Sequence, residues 1–278
     1  MRAETRDRPT LDPDFVAAVN TRFSGDAVLL AQVDAPPTPR DCGPRPLEPA
    51  IAEARDTWLA RIAAEGRPNE PHALLLSPQV TADRAEYTVI DFATVCAIRD
   101  TGRWPPLLSA GALAVCRERG QLLLQRRSQW VSTYQGCLDI IGGGYHPPTP
   151  GDPGDADLKA TIAREFSEET GLVLDPGRRP PAVIAGQLRS GFSGYVELGV
   201  DIAASALATV PPSREGSLSP LDAAALAGAL TDTAARWVPT ARLHVLTWLA
   251  LGARAYGPDD DHGPVIADPE ALLAEVLG

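Results

Sequence analysis

The segment from Asp157 to Gly171 leaves the chain little conformational choice. Leu158, Ile162 and Phe166 recur at helical spacing, so one side of a helix over 157–170 must face a core, with Gly171 as its C-terminal cap. At about 100° per residue, Glu169 projects between Leu158 and Ile162 in angle, and Glu165 lies just beside them. These carboxylates cannot simply point into water. Glu168 follows one step further round, giving an i, i+3, i+4 cluster whose mutual repulsion is destabilising by itself. Two readings are open: Arg164 pairs with Glu168 on a solvated acidic face, or a cation sits among the three acids. Hard oxygen ligands on one rigid helix suit Mg²⁺ or Mn²⁺, which keep waters and bind through a few carboxylates plus substrate phosphates.

Upstream of this helix, GCLDIIGGGYH ends an apolar run in three glycines, the signal of a backbone that turns sharply or approaches a ligand closely. A Pro/Gly/Asp loop, PPTPGDPGDAD, follows. Before it, LSAGALAVC, the charged turn RERG and QLLLQRR predict a β-hairpin. After the helix, AVIAGQL and GYVELGVDIAA read as strands, and helices are expected around 220–230, 241–256 and 269–277. Residues 1–104 read as a separate α+β module. It comprises a short helix over 13–23, a Pro-rich connector (DAPPTPRDCGPRPLEP) expected to be irregular, and an amphipathic helix over 48–64 carrying Ile51, Ala54, Trp58, Leu59 and Ile62. Strand-like runs HALLLSPQV and EYTVIDFATVCAI complete it, and TGRWPP marks a boundary near residue 104.

Charge and composition narrow the partners. The formal net charge is −11 and no basic stripe is visible, which argues against polymeric nucleic acid. No apolar stretch reaches the roughly 20 residues of a membrane-spanning helix, and the polar opening lacks a secretory signal's apolar core, so a cytoplasmic location is the expectation. Cys42, Cys96, Cys116 and Cys137 are widely spread, without ligand-like spacing to histidine, and read as small buried hydrophobes.

The segment REFSEETGL, Arg164 to Leu172, matches the second half of the Nudix signature, Gly-x5-Glu-x7-Arg-Glu-U-x-Glu-Glu-x-Gly-U, where U is bulky and apolar. The chain thus resembles the Nudix hydrolase superfamily. The resemblance implies an α/β/α sandwich around a mixed sheet over 105–278. It also implies Mg²⁺-dependent pyrophosphate hydrolysis, with Glu165, Glu168 and Glu169 as metal ligands and Arg164 as a structural salt-bridge partner. Gly143 and Gly144 resemble the Gly-Gly that opens the box, with Gly144 a further candidate ligand. The first half departs from the family: Ala156 stands where the signature has glutamate, Pro150 where it has glycine, and the loop carries about six extra residues. Asp155 or Asp157 is available in place of the missing glutamate, and an N-cap role is equally open to either.

Outside the helix, the arrangement of an N-terminal extension, LLQRRSQWVSTYQGCLDIIGGGYHPP and AGQLRSGFSGYVELGV is similar to the Nudix subgroup that hydrolyses UDP-glucose and UDP-galactose. A UDP-sugar cleaved to nucleoside monophosphate and sugar 1-phosphate is therefore expected. The alternatives are another nucleoside diphosphate linked to a different group, a nucleoside triphosphate, or non-catalytic nucleotide binding. Arg189 suits a bidentate phosphate clamp or an ordinary surface position. Glu197 faces either the cleft, as a ligand or water-orienting base, or solvent. Arg126 and Arg127 close a strand where they meet an anionic substrate or stay solvated. Trp130, Tyr134 and Tyr145 are candidates to stack on a base or to anchor packing, and His146 to touch phosphate or to sit exposed in a loop. Homo-oligomerisation is left open.

Overall fold

The apolar run Leu107–Cys116 becomes the central strand, buried along almost its whole length as a strand covered on both faces must be. The computed structural model of the chain describes residues 9–76, 80–131, 133–175, 178, 180–187, 192–208, 210–257 and 264–277. In chain order they form α1 (Pro13–Arg22), β1 (Ala27–Val33), β2 (Thr38–Asp41), α2 (Pro49–Ala64), β3 (Pro71–Leu75), β4 (Arg84–Asp91), α3 (Phe92–Asp100), β5 (Leu107–Cys116), β6 (Gln121–Arg127), β7 (Leu138–Asp139) and β8 (Ile141–Gly144). Then come α4 (Leu158–Thr170), β9 (Ala182–Gln187), β10 (Phe192–Asp201), α5 (Ala204–Leu207), β11 (Gly216–Leu221), α6 (Ala223–Thr231), α7 (Pro239–Ala250) and α8 (Pro269–Leu277).

All the strands join one mixed sheet. β10 runs parallel to β5 along one edge, while β3, β8 and β6 share the other edge of β5 in turn, at Leu107, at 109–112 and at 114–116. β1 lies antiparallel to β9, and β3 carries β4 and β2 outward, so strands preceding residue 105 extend the sheet on both sides of the centre. Period-two alternation then distributes the core between two layers. Leu122 and Leu124 pack with Val19 of α1, Leu226 of α6 and Trp248 of α7. Leu123 packs on the other face with Leu158, Ile162 and Phe166 of α4. The result is the α/β/α sandwich expected from the sequence.

Local chemistry overrides the periodicity in four places. FATVCAI forms α3 rather than strand, because Asp91 caps it: its carboxylate accepts the Thr94 N–H at 2.9 Å. The Pro-rich connector contains β2, an edge strand pairing with β4, where Pro39 is tolerated because a sheet edge needs no donor on its outer side. Pro220 and Leu221 belong to β11 instead of the following helix, which starts only after Asp222 caps it through the Ala225 N–H. Helix α7 stops at Ala250, since Gly252 takes φ +84°, and Tyr256 instead bridges to Val200. Cys42 is exposed, the other three thiols are buried, and none is in a disulfide. Among the described residues, no helix is long and apolar enough to cross a membrane.

His244 lies fully enclosed in α7, and neither ring nitrogen has a hydrogen-bond partner among the described residues. Burial drives its pKa down from 6.5 to about 3. The folded chain therefore binds fewer protons than the unfolded one below pH 6.5. Its stabilising share is complete above that value and is lost as pH falls toward 3. His244→Leu should reduce the pH slope of the unfolding free energy by about 1.4 kcal/mol per pH unit below 6.5, measured by urea titration from pH 7 to 4. An unchanged slope would show that His244 is not buried neutral.

Candidate active site

Helix α4 is fixed at both ends before any side chain in the site is placed. Asp157 accepts the Ala160 N–H at 2.8 Å as N-cap, and Gly171 turns left-handed at φ +72° to end it. Between these caps Leu158, Ile162 and Phe166 are buried, which turns Glu169, only 6% exposed, into the sheet. Glu165 is half-buried beside it, and Glu168 points outward. The three carboxylates occupy the last two turns, where the helix dipole is least favourable to anions.

Arg164 organises the cluster. Its Nε and Nη2 grip Asp155 with two 3.0 Å bonds, and Nη2 also donates to the Gly144 carbonyl at 2.9 Å. Nη1 reaches Glu165 at 2.9 Å and Glu168 at 3.2 Å. Of the two loop aspartates it is Asp155 that meets Arg164, while Asp157 caps the helix. The enlarged loop permits this because it closes on itself. The His146 N–H donates to Asp155 Oδ2 at 2.9 Å, the Asp155 N–H donates to the His146 carbonyl at 2.8 Å, and the extra residues form an excursion beyond that closure. Gly154, at φ +56°, lies so close to the His146 carbonyl that a Cβ would come within 2.5 Å of it.

The glycine run brings backbone against acid. A Cβ on Gly142 would sit 2.4 Å from the Gly111 Cα across the sheet, and the bare Gly142 N–H donates to Glu169 Oε2 at 3.2 Å. A Cβ on Gly143 would lie 2.3 Å from Glu165 Oε1. Burial pushes the Glu165 pKa up to about 7, against the pull of Arg164. Burial also holds Glu169 well above the usual carboxylate range, reinforced by the charges of Glu165, Glu215 and Asp139 and opposed by a hydrogen bond from Gln125. Asp139, raised to about 6 by burial, is restrained by Arg127 at 2.9 Å.

Among the described residues, no three acidic, histidine or cysteine side chains converge closely enough to enclose an ion by themselves, and Glu169 has no ion-pair partner. An all-oxygen donor set in which buried Glu169 has no cationic partner, open on the Glu168 side, fits a hard divalent ion that keeps several waters.

Other residues singled out from the sequence fall elsewhere. Glu197 faces neither a cleft nor solvent: it is fully buried, with Lys159 Nζ 3.1 Å from Oε1 and Arg178 Nη2 3.1 Å from Oε2. His146 is held by Asp152 at 2.9 Å. Tyr145 is a packing anchor, edge-on to Tyr87 at 5.6 Å, whereas Trp130 is 83% exposed. Arg189 lies outside the described residues. The sequence reading missed Gln125, Asp139 and Glu215 in the acid cluster. The only signal for Asp139 was its place in the run LDIIGGG, and the segment PSREGS around Glu215 has no periodicity at all. His72, whose Nδ1 comes 3.9 Å from the position of a Cβ on Gly144, had no sequence signal either.

The α/β/α fold thus presents a carboxylate-bearing helix against a glycine-lined strand, a set of oxygen donors of the kind that suits a hard cation beside a phosphate. The NUDIX domain model matches residues 105–254, more than half of the chain, and the protein belongs to that family. Among solved structures it is similar to the MutT protein from Methanosarcina mazei Go1, at 29% identity, covering 48% of this chain and 86% of that one, with a TM-score of 0.36. It is also similar to a bifunctional NMN adenylyltransferase/ADP ribose pyrophosphatase from Francisella tularensis (15% identity, 46% of this chain and 38% of that one, TM-score 0.36). A third is a NUDIX hydrolase from Nitrosomonas europaea (14%, 52% and 89%, TM-score 0.37). No curated protein matches the chain.

The division of labour between the two loop aspartates is testable by denaturation. Asp155→Ala removes two of the bonds to the Arg164 guanidinium and the acceptor of the His146 N–H and the buried Thr161 hydroxyl, and should cost about 2–3 kcal/mol, whereas Asp157→Ala removes a cap and should cost about 1 kcal/mol. Equal losses in urea unfolding would contradict the assignment.

Proposed function

We propose that this protein hydrolyses the pyrophosphate bond of a nucleoside diphosphate sugar, a UDP-sugar, with Mg²⁺ as cofactor and Mn²⁺ as its substitute, giving nucleoside monophosphate and sugar 1-phosphate. The observation that carries the reaction class is Glu169. It is a buried carboxylate near a helix C-terminus, surrounded by the charges of Glu165, Glu215 and Asp139, and it has no ion-pair partner among the described residues. Such a group needs either a proton or a cation to be stable there. The ion, when bound, neutralises the diphosphate and supplies an activated water.

The chain's own groups do the positioning. Glu165 and Glu169 would hold the ion, and the Gly144 carbonyl would offer its second lone pair, the first being taken by Arg164. Glu168, with 60% of its side chain exposed, reaches the solvent side and orients the attacking water. Glu197 acts at a distance: its bridge to Lys159 ties the first turn of α4 to β10 and fixes where the acids stand. The choice of a UDP-sugar is supported by the sequence likeness around the N-terminal extension and the strands flanking the helix. Residues 1–104 form an accessory module to a hydrolase domain over 105–278, a reading supported by His72 reaching the Gly144 edge of the site.

Incubation with UDP-, ADP- and GDP-sugars plus Mg²⁺, followed by mass spectrometry, should yield UMP and sugar 1-phosphate. The Glu168→Gln/Glu169→Gln double variant should lose turnover by about 100-fold or more while keeping its fold. Full activity in that variant, or nucleotide binding without any product from the wild type, would defeat the proposal. Gly143→Ala should cut turnover as well, because the new methyl group displaces the Glu165 carboxylate. A variant as active as wild type would mean that Glu165 is not needed where it stands.

A further inference from the structure

The positive charge of this acidic protein is not evenly spent. Most of the described arginines near the site are paired with acids, Arg164 and Arg127 among them. At the open end of β6 and β11 lies a cleft of about 460 Å³, lined by Arg126, Arg127, Ser128, Trp130, Ser213 and Arg214 among others. Its size falls in the range of small-molecule sites. Arg126 and Arg214 have no ion-pair partner among the described residues, and nor does Arg236, whose Nη1 lies 3.9 Å from the position of a Cβ on the lining residue Gly136. Arg126 spends one donor on the Gly136 carbonyl at 3.2 Å and keeps the rest of its fork.

Trp130 stands at the rim, 83% exposed, on a loop that is tied down. Its backbone N–H donates to Ser128 Oγ at 3.1 Å, Ser128 Oγ donates to the Arg214 carbonyl at 2.7 Å, and the Gln135 side-chain amide donates to the carbonyls of Gln129 at 2.9 Å and Val131 at 3.0 Å. The same loop carries Tyr134 at φ +52°, a conformation side chains rarely adopt. The backbone bonds hold the chain at Trp130 in place, and its ring, exposed beside cationic side chains, offers an open face to a flat partner. Cations beside it select a flat partner that carries phosphate.

We propose that this cleft binds the nucleoside 5′-phosphate half of the substrate, the base stacked on Trp130 and the phosphate held by Arg126 and Arg214, with Arg236 adding charge at the rim. The assignment rests on the hydrolase reading for the identity of the substrate and locates its nucleotide half. The cleft borders the acid cluster. Arg127, one of its lining residues, bonds Asp139, and Glu215, between the lining residues Arg214 and Gly216, acts on both Glu165 and Glu169.

Calorimetric titration of the full chain with UMP in EDTA separates this binding from turnover. Trp130→Ala and the double variant Arg126→Ala/Arg214→Ala should each weaken UMP by about 10-fold or more, while Trp130→Phe retains most of the affinity. Inorganic phosphate should bind far more weakly than UMP and be insensitive to Trp130→Ala. Unchanged UMP affinity in both alanine variants, with thermal melts confirming their folds, overturns the proposal, as does phosphate binding as tightly as UMP. Absence of turnover with UMP binding lost in the variants would remove the hydrolase reading and leave the cleft. Turnover with variant-insensitive UMP binding would remove the cleft and leave the hydrolase.

Discussion

The geometry around α4 depends on the Arg164 guanidinium. Three carboxylates on two successive helix turns repel one another, and the helix dipole adds to the cost. Arg164 answers with a planar fork whose donors reach a loop aspartate, a strand carbonyl and two helix glutamates at once. A lysine, with its compact ammonium, has no geometry for four partners in one plane. Because two of the partners lie outside α4, the bonds that quiet the acids also set the helix against β8 and close the loop between them.

Glycine is the complement of that charge. The acids approach the sheet so closely that β8 has no room for side chains at Gly142 and Gly143, and the amide of Gly142 becomes a ligand for Glu169. Removing Cβ atoms costs backbone entropy in the unfolded-to-folded transition. Here it lets carboxylates pack directly against peptide where side chains would otherwise stand. The buried Glu197 shows the opposite solution in the same sheet. Two cationic side chains meet it directly, and it anchors structure where the α4 acids are left poised.

What was legible in the sequence was what repeats locally. The α4 stripe, its C-terminal glycine, the β5–β6 hairpin and the RE–EE spacing all depend on neighbours within a few residues, and all are present. FATVCAI looked like strand because β-branched and aromatic residues dominate it, and a single capping aspartate decided otherwise. Asp155 was one of two equal candidates, since only the closure of a loop over His146 brings it rather than Asp157 to Arg164. Asp139 joins the acids from β7 and Glu215 from the bend just before β11, a juxtaposition made by the pairing of β6 with both strands. Arg189 fell outside the described residues.

The alternation of β6 explains how one short strand serves opposite charges. Odd positions face α4, so Gln125 steadies Glu169 and Arg127 steadies Asp139. The even position, Arg126, turns to the other side and bonds the Gly136 carbonyl in the Trp130 loop. A one-residue slip of β6 would send Arg126 into the acid cluster and withdraw Gln125 and Arg127 from it. The pairing of β6 with β11 guards against this, since Gly216 sits opposite Arg127 and a Cβ there would come within 2.4 Å of the Arg126 carbonyl. A cation-seeking surface and an anion-seeking one can lie within a few residues of each other because the register of a single strand keeps them apart.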